Sequence, residues 1–251
     1  MNWLSEIPHL KTVLTTRKGG VSKGDYKFNN LAIHVGDDLK SVIINRQRLA
    51  TKLELSHDDL IFMNQVHGNK VLIIDNNSPK IPECDAMITN EFNKALMIMV
   101  ADCIPILFAD IKNRVVGAAH AGWKGTYGRI ASNVVEKMDS ELGCDKKSIH
   151  VWLGPSIRSC CYNIGNDLAE KFNEEFKFDE KVVIEKNDAM YLDLISCNKQ
   201  ILTESGIKEE NISVSDICVS CNNDKYYSFR ADKGRTGRFV AGIWLKDDRN
   251  C

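Results

Sequence analysis

The sequence predicts an α+β fold, a single domain of packed mixed β-sheets flanked by helices. Three observations lead there. Several strand-like runs are almost wholly apolar, as expected of strands covered on both faces. Strands outnumber the amphipathic helical stretches and do not alternate with them regularly, which argues against a simple doubly wound fold. No internal repeat, low-complexity tract or linker divides residues 1–251, a length within reach of one large domain.

In chain order, the strand-like runs fall at 12–15, 60–63, 70–74, 95–100, 104–109, 115–119, 150–153, 212–214 and 239–245. Between them, Val42, Ile43, Leu49 and Leu53 line one helical face. Ile130, Val134, Val135, Met138 and Leu142 line a second, with Gly143 as a natural C-terminal stop. Leu168, Phe172 and Phe176 recur every four residues, and a fourth helix runs from about 194 to 202 with Gly206 beyond its end.

Composition narrows the partners. Lys and Arg number 33 against 34 Asp and Glu, for a formal net charge of -1. Such a balance exerts no general pull on nucleic acid or an anionic membrane, so any anion must be held by a local cluster. The N-terminus lacks the basic start and apolar core of an export signal. The longest apolar run is broken by Asp102 and Pro105, too early to span a bilayer. A cytoplasmic protein acting on a small molecule is the expectation. In a reducing cytosol its nine cysteines should carry no disulfide, including between Cys160 and Cys161 or between Cys218 and Cys221. Most should be small buried apolar residues.

Three segments share one design, an apolar strand running into a turn with a metal-capable side chain. Residues 61–66 lead into His67-Gly68, residues 96–100 into Ala101-Asp102-Cys103, and residues 115–119 into His120-Ala121-Gly122-Trp123. Glycines after both histidines permit tight turns and close approach of a ligand. Two imidazoles and a thiolate match a catalytic zinc site with three protein ligands and one open position. The thiolate favours zinc or Cu(I) over magnesium or calcium. The same residues admit a plainer reading, hydrogen-bonded core histidines and a packing cysteine. They also admit a Cys103 nucleophile with His120 as its base.

Other groups carry less. Cys218 and Cys221 form a C-x-x-C that could bind metal or act in redox, but there is no second such pair and no thioredoxin-like context follows. The vicinal Cys160-Cys161 follows a Gly-Pro turn and reads as structural. His9, His34, His57 and His150 lack a partner motif, and Lys18-Gly19-Gly20 is too short for a phosphate loop. Arg17, Lys124, Arg230, Arg235 and Arg238 stand in glycine-bearing loops, and Arg46 lies in a helical pattern. Such residues are usually a solvated surface; as an anion cradle the best segment is 230–238.

Along almost the whole chain, segments in order resemble one family. They are residues 16–22, 34–38, 45–46, Gln65-Val66-His67-Gly68, Ala101-Asp102-Cys103, 118–125, 153–157 and Thr236-Gly237-Arg238. The sequence is similar to the polyphenol-oxidase laccase-domain family, also described as purine nucleoside phosphorylases with adenosine deaminase activity. The resemblance implies a zinc site at His67, Cys103 and His120, with copper as the other candidate metal. It implies a fold similar to the necrotizing-factor-like cysteine hydrolases. It implies phosphorolysis of adenosine, inosine, guanosine and methylthioadenosine, and deamination of adenosine. On that footing Asp102 is a candidate proton carrier or orienting group. Arg17, Arg46 and Lys124 are candidates for ribose or phosphate contacts. Two alternatives accompany it: a hydrolase editing peptidoglycan precursors, and a copper-dependent phenol oxidase, which six histidines serve poorly. The chain departs from the family at Lys124, where Arg is usual, and at Phe229-Arg230-Ala231, where a paired Arg-Arg is usual. Lysine keeps the charge there but loses the bidentate fork.

Overall fold

A computed structural model describes residues 3–247; Cys251, the ninth cysteine, and the outermost ends of the expected 1–251 domain lie outside the described residues. The elements run β1 (Leu10–Leu14), α1 (Leu39–Leu53), β2 (Leu60–Phe62), β3 (Val71–Ile73), β4 (Ala86–Thr89), β5 (Ala95–Val100), β6 (Ile104–Asp110), β7 (Val115–Ala121) and α2 (Trp123–Tyr127). They continue α3 (Ile130–Leu142), β8 (Ile149–Leu153), β9 (Asn163–Ile164), α4 (Asn166–Glu175), β10 (Val183–Lys186), β11 (Ala189–Leu192), α5 (Leu194–Glu204), β12 (Ile212–Val214) and β13 (Phe239–Leu245).

Two mixed sheets make the frame. One has the order β1-β13-β5-β2, with β2 parallel to β5 and the other pairs antiparallel. The second has the order β12-β8-β6-β7-β4-β3, parallel only at its two ends. A small antiparallel sheet, β10-β11-β9, lies apart from both. This is the α+β arrangement of mixed sheets flanked by helices that the sequence predicts.

The apolar strands read as they do because both their faces are covered. In β6, Ile104, Ile106 and Phe108 join one core while Leu107 and Ala109 join another. In β5, Leu96, Ile98 and Val100 point to the centre while Ala95, Met97 and Met99 point outward to the core under α1. That period of two sorts the side chains into layers. The central core fills the space between the two sheets, and α3, α4 and α5 cover the outer face of the larger one. Truncating the fully buried Phe108 to alanine would cost about 3–5 kcal/mol.

Local chemistry sets the helix ends. The Asp38 carboxylate accepts from the Ser41 N–H at 3.0 Å and caps α1. Asp193 caps α5 by accepting from the Ser196 N–H at 3.0 Å. Gly143 ends α3 at φ +68°, the left-handed conformation that suits glycine. Four strands and one helix were not expected from the sequence. In the hairpin β10-β11, β10 is mostly exposed and β11 mostly half-buried, so its pattern lacks an apolar stripe. Strands β4 and β9 and helix α2 are too short to show a period.

Candidate metal centre

Cys103 sits where the chain passes from β5 in one sheet to β6 in the other. His67 lies beyond β2, the parallel neighbour of β5. His120 lies on β7, opposite Pro105 of β6. The three come together: their donor atoms all lie within 4.8 Å of one another, and the two imidazoles meet edge to face with centroids 4.8 Å apart. A tetrahedral zinc site would place such donors about 3.3–3.8 Å apart, so modest side-chain closure completes it. Exposure falls from His67, which is exposed, through the half-buried Cys103 to His120 at 3%. The set is therefore open on the His67 side.

One residue that the sequence did not reveal organises two of the three. Asp85, fully buried just before β4, accepts from the backbone N–H groups of Val66, His67 and Gly68 at 3.2, 2.9 and 2.6 Å. Three successive N–H groups around a carboxylate form an anion nest. They offset the left-handed backbone of His67, at φ +60°. The same carboxylate sits 2.9 Å from His120 Nδ1, and the Asp85 carbonyl accepts from the His120 N–H at 2.7 Å. Asp85 thereby holds Nδ1 and leaves Nε2 for the centre, the usual arrangement behind a metal-bound histidine. No local sequence signal marks Asp85; it meets His120 because β4 pairs with β7 so that Ala86 faces Ala119.

The electrostatics agree with the geometry. Burial opposes ionisation of Cys103, but His120 and His67 outweigh it and pull the thiol down to about 6. Burial likewise opposes charge on His120, but the Cys103 sulfur and the Asp85 carboxylate lift its pKa to about 9. Near neutral pH the pair is thus a thiolate beside an imidazolium, and a cation binding there would displace the imidazolium proton. Gly122 leaves the needed room: a Cβ there would stand 2.9 Å from Cys103 Sγ and 3.5 Å from His67 Cδ2. The donor set and its spacing fit a zinc-type ion.

The trio opens into a cleft of about 400 Å³, a volume suited to a small-molecule ligand. Trp123, Ile157, Tyr162, Leu194 and Phe229 supply apolar walls, and His34, Arg230 and Arg238 supply polar edges. Asp102 also lines it, but both its oxygens are taken. Oδ1 accepts from Ser228 Oγ at 2.6 Å and Oδ2 from the Arg230 N–H at 2.7 Å. Burial raises its pKa against those two bonds and the charges of Arg230 and Arg238. Asp102 is built to hold the loops around Cys103.

The three expected substrate contacts lie outside the cleft lining. Arg17 donates from Nη1 to the Asn223 carbonyl at 2.6 Å, pairs with Asp232 at 3.6 Å and stacks on Tyr227. Arg46 is buried, donates to the Leu31 carbonyl at 2.8 Å and lies 3.8 Å over the Phe62 ring. Lys124 is exposed, with Nζ 5.6 Å from the Trp123 ring centre. Their charges are spent on structure or on solvent. Of the other basic residues read from the sequence, Arg230 and Arg238 reach the cleft, while Arg235 is exposed near Asp25. Cys160, Cys161, Cys218 and Cys221, set aside in the sequence, form a second cluster with all donors within 4.8 Å.

Comparison with known proteins places this arrangement. Residues 11–246 match the family model described as multi-copper polyphenol oxidoreductase laccase. A purine nucleoside phosphorylase of Deinococcus radiodurans is 40% identical, covering 95% of this chain and 89% of its own. The adenosine deaminase RL5, from an unknown prokaryotic organism, is 30% identical over 98% of each chain. The crystal structure of YlmD from Geobacillus stearothermophilus superposes with a TM-score of 0.91 at 32% identity, over 96% of this chain and 93% of that one.

Proposed function

From the premise that this chain belongs to the multi-copper polyphenol oxidoreductase laccase family, we propose that it is a zinc-dependent purine nucleoside enzyme. It would cleave adenosine, inosine, guanosine and methylthioadenosine with phosphate, and deaminate adenosine. The observation that carries the reading is the convergence of His67, Cys103 and His120 at the mouth of an apolar-walled cleft. The printed names of its relatives, a purine nucleoside phosphorylase and an adenosine deaminase, support it.

His67, Cys103 and His120 would hold the metal. When bound, zinc supplies Lewis acidity that activates water near neutral pH. The chain's own groups do the rest. Tyr162 and Phe229 line the cleft and would offer apolar surface to a planar purine. Arg238, anchored by donation to the Thr236 and Gly237 carbonyls at 2.9 and 3.0 Å, presents its charge to phosphate or ribose. Asp85 keeps His120 in one orientation, and Asp102 fixes the turn that carries Cys103.

A second reading has one specific observation behind it. Cys103, His120 and Asp85 follow the order nucleophile, base, orienting carboxylate. That triad suits the alternative of a hydrolase acting on peptidoglycan precursors. It leaves His67 without a role, whereas a three-ligand centre uses both imidazoles. Copper-dependent phenol oxidation ranks below both, since a single trio does not supply multicopper chemistry. Incubation with adenosine and phosphate, with adenine, inosine and hypoxanthine followed by chromatography, tests the proposal. Turnover well above a Cys103→Ala control is expected; none above that control removes it.

A further inference from the structure

The two cysteine pairs that looked unrelated in the sequence are brought together by the larger sheet. Strands β8 and β12 are parallel neighbours, so the loops leaving their C-terminal ends start side by side. An isolated bridge pairs Ser156 with Cys218, and the Val219 N–H donates to the Ser156 carbonyl at 3.0 Å. Arg158 of the first loop donates from Nη1 to the Ser215 carbonyl of the second at 2.6 Å. The first loop carries Cys160 and Cys161; the second carries Cys218 and Cys221.

We propose that Cys160, Cys161, Cys218 and Cys221 together hold one zinc ion, in a closed four-thiolate site separate from the His67–Cys103–His120 centre. Cys160 Sγ lies 3.7 Å from both Cys161 Sγ and Cys221 Sγ, and the latter two are 3.4 Å apart. All four sulfurs fall within 4.8 Å of one another. Zinc–sulfur bonds of about 2.3 Å in a tetrahedron separate the sulfurs by about 3.8 Å. Three sulfurs, each close to both others, describe a shared centre rather than two disulfide pairs. A polynuclear iron–sulfur cluster would hold its thiolates farther apart, on different irons. The backbone N–H groups of Arg158 and Cys221 point at the Cys218 sulfur. Such donors stabilise a buried metal thiolate.

The site has a consequence for the cleft. The first loop also carries Ile157 and Tyr162, and the second leads on to Phe229 and Arg230, all of which line the cleft. Both loops also grip Asp102: the Ile157 N–H donates to its carbonyl at 2.9 Å, and Ser228 and Arg230 hold its carboxylate. A zinc ion tying the loops together braces one wall of the cleft from outside. It takes no part in chemistry there, because four protein ligands leave no open position.

The test uses the full chain carrying His67→Ala, so that the first centre is disabled, purified without added metal or chelator. Metal analysis is expected to find about one zinc per chain, and X-ray absorption four sulfur neighbours at about 2.3 Å. Adding Cys218→Ser should abolish that zinc. Since Cys218 is buried, Cys160→Ser at an exposed position is the second variant; it should keep the fold by circular dichroism yet lose zinc to a chromophoric chelator far sooner. Two zinc ions in the His67→Ala protein, one lost with Cys218→Ser, would sink the first centre and leave this one standing. A zinc-free His67→Ala protein, iron in place of zinc, nitrogen or oxygen neighbours, or four oxidised thiols in denatured, unreduced protein would each overturn the proposal.

Discussion

Among the described residues two clusters of metal-capable side chains stand out, and they differ in the properties that separate catalytic from structural sites. His67, Cys103 and His120 mix nitrogen with sulfur, stand at strand ends, and open into a cleft. Cys160, Cys161, Cys218 and Cys221 are all sulfur, stand on loops, and already supply four donors. A three-donor set on rigid strands leaves a coordination position for substrate or water; a four-donor set between loops has only a bracing role. The trio also has an orienting carboxylate in Asp85, whereas the backbone N–H groups of Arg158 and Cys221 stand behind Cys218. Donor count and support, more than the presence of cysteine, distinguish the two proposed roles.

The comparison breaks first, and hardest, at the trio. His67→Ala should lower nucleoside turnover at least about 10²–10³-fold, the scale of losing a charge-stabilising group, and release the metal from that centre. Steady-state rates alongside metal analysis check it; a His67→Ala protein that keeps both its full zinc content and its turnover refutes the metal mechanism.

On the other side, the loss should appear in stability. Zinc present at 100 times its dissociation constant adds about 2.7 kcal/mol, so Cys218→Ser with Cys221→Ser should lower the melting temperature by roughly 5–10 °C in a chain of this size. Differential scanning calorimetry reads it. An unchanged melting temperature would show that the four cysteines brace nothing.

Asp85→Asn sharpens the contrast between the two supports. It keeps the volume but removes the charge facing His120 Nδ1 and three backbone N–H groups. Metal affinity at the trio should fall about 10–100-fold, measured by competition with a chelating dye, while the four-cysteine site is unaffected. Equal weakening at both sites would mean that Asp85 acts on the whole fold.

The smallest expected effect is at Gly122. Gly122→Ala pushes a methyl to 2.9 Å from Cys103 Sγ, a clash that the thiol relieves by leaving its rotamer. The cost should be roughly 2–10-fold in metal affinity, the scale of one off-rotamer side chain. Affinity equal to the unmodified protein would show that the thiol has slack.

What the sequence revealed and what it hid follow one rule. Strands β5, β12 and β13 match their expected bounds residue for residue, because apolar runs bounded by polar turns mark their own ends. The trio was visible because each member follows such a run. Asp85 was not, because its partners lie 17 to 35 residues away: β4 pairs with β3, just after Gly68, on one side and with β7, which carries His120, on the other. The four cysteines were missed for the same reason: Cys160 and Cys221 are 61 residues apart and are joined by a parallel strand pair that no local pattern encodes. The engagement of Arg17 by Asp232 and of Arg46 by a backbone carbonyl was hidden as well, because a charge in the sequence does not reveal which groups already hold it.

In the proposed mechanism Cys103 serves as a ligand and not as an attacking thiolate. In the metal-free protein the two histidines pull its thiol down to about 6, so the stripped protein presents a thiolate to alkylating agents. The decisive measurement is nucleoside turnover after exhaustive chelation, with folding monitored by circular dichroism, and again after zinc is restored. Turnover should vanish and return, with iodoacetamide inhibiting only the stripped protein. Full turnover after chelation, abolished by iodoacetamide, would contradict the account and make Cys103 the nucleophile.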